Sequence, residues 1–110
     1  MTENIKKWLL DVKEAIETIE IFLGDERNFY NYQSNLMLKR AVEREFEIIG
    51  EAINRILKED ENFVISNARR IVNLRNHIIH AYDNVSDEMI WSIIVREVPN
   101  LKIEINNLLK

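Results

Sequence analysis

Eight consecutive residues in the second half of the chain include an arginine, an asparagine, two histidines and a tyrosine, whose side chains could act on a phosphodiester. They run Arg75-Asn76-His77-Ile78-Ile79-His80-Ala81-Tyr82 and include both histidines of the sequence. Arginine donates a planar fork to phosphate oxygens, histidine moves protons near neutral pH, and tyrosine offers a hydroxyl and a stacking face. These groups suffice for RNA cleavage without a metal ion. His80 would deprotonate a ribose 2′-OH or protonate the leaving 5′-oxygen, and Arg75 would stabilise charge on the phosphate.

Two other interpretations of this cluster stay open. His77 and His80 are three residues apart on a predicted helix and could bind a metal, but no acidic ligand or cysteine accompanies them. The polar cluster could also be incidental in a purely structural helical dimer. The Arg, Asn and Tyr within eight positions favour the phosphodiester chemistry over both.

The charge distribution is uneven around this cluster. The 110 residues carry a net charge of −4, which argues against broad coating of nucleic acid. The stretch 64–82 has three arginines and no acid, so it contributes +3 and leaves −7 for the rest of the chain. The pattern predicts a small basic patch that could grip one phosphate.

The spacing of Arg75 and His80 predicts a composite site. Five residues on one helix place two side chains about 140° apart, so they cannot easily hold the same phosphate unless the helix ends near His80 or two chains cooperate. A two-fold dimer would join two clusters in one cleft and supply two histidines, one as base and one as acid. We therefore predict a homodimer.

Helices must position these groups. The chain has no Cys, 1 Pro and 2 Gly, which disfavours disulfide and all-β folds. Apolar spacings of three and four predict amphipathic helices, and capping signals occur at Thr2, Gly24, Ser86 and Pro99. We predict one all-α domain over 1–110, an antiparallel bundle of four to five helices. The predicted helices span about 2–23, 34–58, 66–80, 86–95 and 99–109, with 25–33 as a connection.

Two charges fall inside apolar helix faces. At about 100° per residue, Arg75 lies in the middle of the apolar arc of its helix, and Glu45 lies inside that of the preceding helix. Arg75 could extend its head to water, and Glu45 could be a residue at the edge of the arc. Embedded charges are costly without partners, so we also predict a Glu45–Arg75 ion pair.

The motif Arg-Asn-x-x-x-His-x-Tyr, at Arg75, Asn76, His80 and Tyr82, resembles the signature of the HepT-like branch of the HEPN superfamily. Ile48-Ile49-Gly50-Glu51-Ala52 is similar to the branch's Ile-Gly-Glu-Ala stretch. Trp91 and Val98-Pro99-x-Leu101 also match, so the resemblance covers nearly the whole chain. It makes Glu51 a second candidate partner for Arg75. Gly50, inside a long helix, indicates close helix packing.

The resemblance implies a helical RNase toxin of a prokaryotic toxin–antitoxin pair, active as a dimer without metal or other cofactor. Arg75 and His80 would be its catalytic residues. The implied partner is a minimal nucleotidyltransferase antitoxin, which would silence the toxin by transferring AMP to Tyr82. AMP would add bulk and negative charge beside Arg75 and so repel RNA.

The alternative function is a non-catalytic module that presents a nucleotide or another substrate to such a transferase. Neither function involves a membrane. No run approaches the ~18 apolar residues of a membrane span, and Met1–Leu10 lacks the apolar core of a signal peptide. We expect a cytoplasmic protein.

Overall fold

A computed structural model describes residues 1–80 and 86–110, with only the backbone of 77–80. Within these ranges the chain is helical and contains no strand. The helices are α1 (Glu3–Leu23), α2 (Phe29–Gln33), α3 (Leu36–Glu59), α4 (Arg69–His80), α5 (Asp87–Arg96) and α6 (Val98–Leu108). The all-α prediction is confirmed. None of the described helices is both long and apolar enough to cross a bilayer.

Local capping sets the helix ends. The Thr2 hydroxyl accepts the Ile5 N–H at 3.1 Å, and the Ser86 hydroxyl accepts the Met89 N–H at 3.1 Å. Gly24 follows α1 with φ of 66°, a conformation that a Cβ disfavours. Pro99 lies in the first turn of α6, where a missing N–H has no effect on the helix. All four predicted capping signals are confirmed.

The described residues form six helices rather than four to five. The addition is α2, inside the predicted connection 25–33. Five residues do not hold a helix in isolation. Here Asn28 caps α2, and Phe29 and Tyr32 pack against Trp91, with ring centroids 6.2 and 5.6 Å apart. The prediction failed because these contacts are tertiary.

The core is one cluster of buried apolar side chains centred on α1 and α3, which pack extensively against each other. The two helices are antiparallel, because Thr2 and Asn4 at the start of α1 donate hydrogen bonds to Glu59 at the end of α3. The inner face of α1 is fully buried at Leu9, Val12, Ile16 and Ile19.

Side-chain contacts fix α4 and its flanking segments. Glu104 of α6 accepts hydrogen bonds from the backbone N–H groups of Ser66 (2.7 Å) and Asn67 (3.1 Å) ahead of α4. Beyond it, Asp87 at the start of α5 pairs with Lys39 near the start of α3 at 3.2 Å. The chain thus returns from the end of α3 to its beginning, so α4 runs antiparallel to α3.

Candidate functional site

The site is organised where α3 and α4 cross, at Gly50 and Arg75. A Cβ placed on Gly50 would lie 2.7 Å from Cβ of Arg75, 3.0 Å from Cδ and 3.2 Å from Cγ. The first three carbons of the arginine side chain therefore lie directly over the glycine. Gly50 is buried, and its lack of a side chain creates the space that the stem of Arg75 fills.

This packing places a charged group where the helical pattern located it. Ile71 and Leu74, on the same helix, are fully buried. Arg75 itself is half-buried. Its Nε is buried and has no hydrogen-bond partner among the described residues. The prediction of an arginine inside the apolar arc is confirmed.

The predicted ion pair is not formed among the described residues. Arg75 has no carboxylate within 4 Å there, and Glu51 instead pairs with Arg55 on its own helix at 2.8 Å. Burial raises the pKa of Glu45, the positive charge of Arg44 lowers it, and the negative charge of Glu14 on α1 raises it. Glu45 is five residues from Gly50, about 140° around α3, so it faces α1 rather than α4.

The sequence interpretation missed two acids on the correct face of α3. Glu43 and Glu47 lie within about 20° and 60° of the direction of Gly50. They are 16% and 26% exposed and lie 3.8 Å from Arg40 and 3.2 Å from Arg44. They follow Gly50 in the direction in which α4 runs. The signal was present in the sequence, as the i, i+4, i+7 spacing of 43, 47 and 50.

Glu43 belongs to a cluster of titratable side chains at the junction of α2, α3 and α5. Its pKa is raised, chiefly by burial. The hydroxyl of Tyr32 is buried and has no hydrogen-bond partner among the described residues. Burial, followed by the charges of Glu43 and Asp87, raises the pKa of Tyr32 far above its ordinary value of 10. Tyr32 therefore stays neutral at any physiological pH.

The other predicted residues of the motif, Asn76, His80 and Tyr82, follow Arg75 in the sequence. Asn76 is exposed. The α4 backbone continues to His80, whose Cα is about 7.5 Å farther along the helix axis. The side chain of His80 and the whole of Tyr82 lie outside the described residues.

The three arginines of the basic stretch have different environments. Arg70 is bound to Glu97 at 2.8 Å and reaches the Ser92 hydroxyl at 3.4 Å. These contacts connect α4 to α5 and to the start of α6, so the guanidinium of Arg70 is used in contacts within the protein. Arg69 is exposed and Arg75 lies on Gly50. The predicted basic patch therefore has two arginines without an acidic partner among the described residues, Arg69 and Arg75, and not three.

Comparison with known proteins identifies the family of the chain. Residues 12–108 match the family model described as "Ribonuclease HepT-like". The chain belongs to the HepT-like family. That region contains the α3–α4 crossing and all of Arg75, Asn76, His80 and Tyr82. The resemblance to the HepT-like branch of the HEPN superfamily is confirmed.

Individual relatives of this HepT-like chain span nearly its full length. "Putative RNase MJ1380" of Methanocaldococcus jannaschii is 33% identical over 93% of the chain and 94% of the relative. "Probable ribonuclease HepT" of Thermococcus cleftensis is 32% identical over the full length of both proteins. "Putative RNase TTE0752" of Caldanaerobacter subterraneus is 32% identical over 76% of the chain and 75% of the relative. No solved structure matches the chain.

Proposed function

We propose that this HepT-like protein is a metal-independent endoribonuclease, the toxin of a prokaryotic toxin–antitoxin pair in the cytoplasm. The packing of Arg75 on Gly50 carries the proposal, because a half-buried guanidinium without a carboxylate partner among the described residues can accept a phosphate. Family membership and relatives named as ribonucleases support RNA as the substrate.

The proposed reaction is an intramolecular transesterification. The ribose 2′-oxygen loses its proton to a neutral His80 and attacks the adjacent phosphorus. The bond to the 5′-oxygen breaks, and a protonated histidine gives that oxygen its proton. The products are a 2′,3′-cyclic phosphate and a 5′-hydroxyl. Arg75 stabilises the negative charge on the non-bridging phosphate oxygens in the transition state.

This reaction needs a base and an acid at the same time, which motivates the homodimer. One chain supplies one His80, about 140° around α4 from Arg75. A two-fold axis beside α4 would add a second His80 and a second Arg75 to the same cleft. Asn76, exposed on α4 next to Arg75, would hydrogen-bond the RNA or the partner helix.

We further propose that a minimal nucleotidyltransferase antitoxin silences the site by AMPylation. The hydroxyl of Tyr82 would attack the α-phosphorus of ATP and release pyrophosphate. Tyr82 lies two residues beyond His80 in the sequence, so the added AMP would bring a phosphate near Arg75. It would then occupy the place of RNA and repel it.

RNA cleavage by the purified chain tests the enzymatic proposal. We expect wild type to cleave single-stranded RNA in the presence of EDTA and to leave 2′,3′-cyclic phosphate ends. His80→Ala should lose at least ~10²-fold in rate, because proton transfer contributes about that much. His77→Ala is the matched control and should keep most of the activity. An unmodified wild type that cleaves no RNA would instead support the non-catalytic transferase partner.

Intact-mass measurement tests the modification. Incubation with ATP and a purified minimal nucleotidyltransferase of the proposed antitoxin class should add AMP to wild type and none to Tyr82→Phe. Tyr30→Phe is the control, since Tyr30 is 74% exposed and lies on α2. AMP on the Tyr82→Phe variant would reject Tyr82 as the acceptor.

A further inference from the structure

We propose that Gly50 is a positioning residue for RNA cleavage: by leaving α3 bare where Arg75 crosses it, Gly50 fixes the direction of the guanidinium. The inference rests on the proposed ribonuclease function, in which Arg75 binds the phosphate. It adds a residue that touches no substrate and acts only through Arg75.

Arg75 meets the bare backbone of Gly50 along most of its side-chain stem. Three successive carbons of Arg75, Cβ, Cγ and Cδ, lie within 3.2 Å of the position that a Gly50 Cβ would take. A side chain that touched α3 only at its tip could change rotamer and avoid an added methyl. The Cβ of Arg75 cannot, because the α4 backbone fixes its position. An alanine at position 50 therefore requires α3 and α4 to separate.

The size of that separation follows from the distances. Ordinary carbon contacts begin at 3.4 Å, and the added Cβ would start at 2.7 Å, so the gap must widen by about 0.7 Å at this point. Displacements near 1 Å can reduce an enzymatic rate by about 10²-fold. The shift would move the Arg75 guanidinium relative to the rest of α4 and its proposed partner chain.

The guanidinium of Arg75 is itself partly withdrawn from solvent. Nε of Arg75 is buried and has no hydrogen-bond partner among the described residues. A buried unsatisfied donor is costly, so packing must hold the side chain in place. The terminal nitrogens are then aimed by the stem, and the stem is aimed by Gly50. A preorganised donor of this kind is what stabilisation of transition-state charge requires.

Gly50→Ala tests the proposal, with Ala52→Gly as the matched control. Ala52 is buried two residues farther along the same helix, about 200° around from Gly50. Its change to glycine should weaken α3 and lower the unfolding midpoint without touching the α4 crossing. We expect kcat for a short mixed-sequence single-stranded RNA to fall ~10- to 100-fold in Gly50→Ala and to stay near wild type in Ala52→Gly.

Salt dependence of binding distinguishes positioning from instability. A non-cleavable 2′-O-methyl version of the same RNA is titrated at increasing KCl. Each phosphate contact contributes about 0.7 to the slope of log K against log salt for single strands. Gly50→Ala and Arg75→Ala should both lose about 0.7 of the slope, whereas Ala52→Gly keeps it. A Gly50→Ala slope and kcat equal to those of Ala52→Gly would overturn the proposal.

A measurement on wild type covers the case in which Gly50→Ala does not fold. The Arg75 Nε–H resonance in NMR, assigned by its loss in Arg75→Lys, should exchange with water much more slowly than that of exposed Arg69. Equal exchange rates would show that Gly50 does not hold the stem. If Arg75→Ala cleaves RNA like wild type, the ribonuclease proposal fails, whereas this exchange measurement still reports on the packing.

Discussion

The two sides of α3 meet their neighbours in opposite ways. Toward α1, α3 is covered by fully buried aliphatic side chains such as Ile16 and Ile19. Toward α4, it presents the bare backbone of Gly50 to the stem of an arginine. The first interface resembles any helix pair in a small core. The second uses closeness to hold one charged side chain, so the α1 side should govern stability and the α4 side activity.

The largest effect should come from a cavity on the α1 side. Ile16→Ala removes a fully buried side chain of α1, the helix that packs most extensively against α3, and such changes reduce the free energy of unfolding by about 2–5 kcal/mol. Urea denaturation measures the loss. RNA cleavage per folded molecule should stay near wild type. A selective loss of cleavage in the folded fraction would break the division between the two sides.

A smaller effect is expected from Arg75→Lys on the α4 side, and it should change the rate of RNA cleavage but not the stability. Lysine keeps the methylene stem over Gly50 but replaces the planar fork with a point charge. Cleavage should fall ~10- to 100-fold, with an unfolding midpoint close to wild type. Arg69→Lys, an exposed residue on the same helix, is the control and should change neither quantity. A large loss of stability in Arg75→Lys would show that the guanidinium supports the fold.

The smallest effects should appear in the pH dependence of stability and should differ in sign between the two sides. Burial raises the pKa of Glu43 above 4.5, so its charge opposes folding once the pH rises through that value. Glu43→Gln should therefore be more stable than wild type at neutral pH, by less than ~1 kcal/mol, and the difference should vanish in acid.

Glu59, the last residue of α3, contacts the start of α1 and shows the opposite pKa shift. Hydrogen bonds from Thr2 and Asn4 lower its pKa, so its charge favours folding above pH 4.5 and that contribution is lost as the pH falls. Glu59→Gln should be less stable than wild type at neutral pH and equal to it in acid. Thermal melts of both variants across this pH range measure the pair. The same sign for both would contradict the assigned environments.

Much of this architecture follows from local signals. Helix periodicity and caps are properties of a few neighbouring residues, so α1, α3, α4, α5 and α6 were predictable from spacing and from residues such as Thr2 and Ser86. The short α2 was not, because its packing against Trp91 joins distant parts of the chain. The Arg75 environment also followed from one helix alone, since its apolar neighbours are three and four residues away.

The partner of Arg75 required knowledge of how two helices face each other. A helical wheel identifies an apolar arc but does not say which part of it meets which neighbour. Glu45 lies in the arc, yet it faces Glu14 and α1. The crossing at Gly50 identifies the face of α3 that meets α4, and Glu43 and Glu47 lie on that face, whereas Glu45 does not.

The Gly50–Arg75 contact also has a genetic consequence. Every missense change of a glycine codon adds a Cβ, so at position 50 no substitution is conservative. In a library of random single substitutions, position 50 should tolerate no replacement when RNA cleavage is selected. Neighbouring buried positions such as Ala52 should accept at least one small residue. Under the proposed toxin function, a microbial population escaping the toxin by mutation would find at codon 50 many single-base changes that silence the protein.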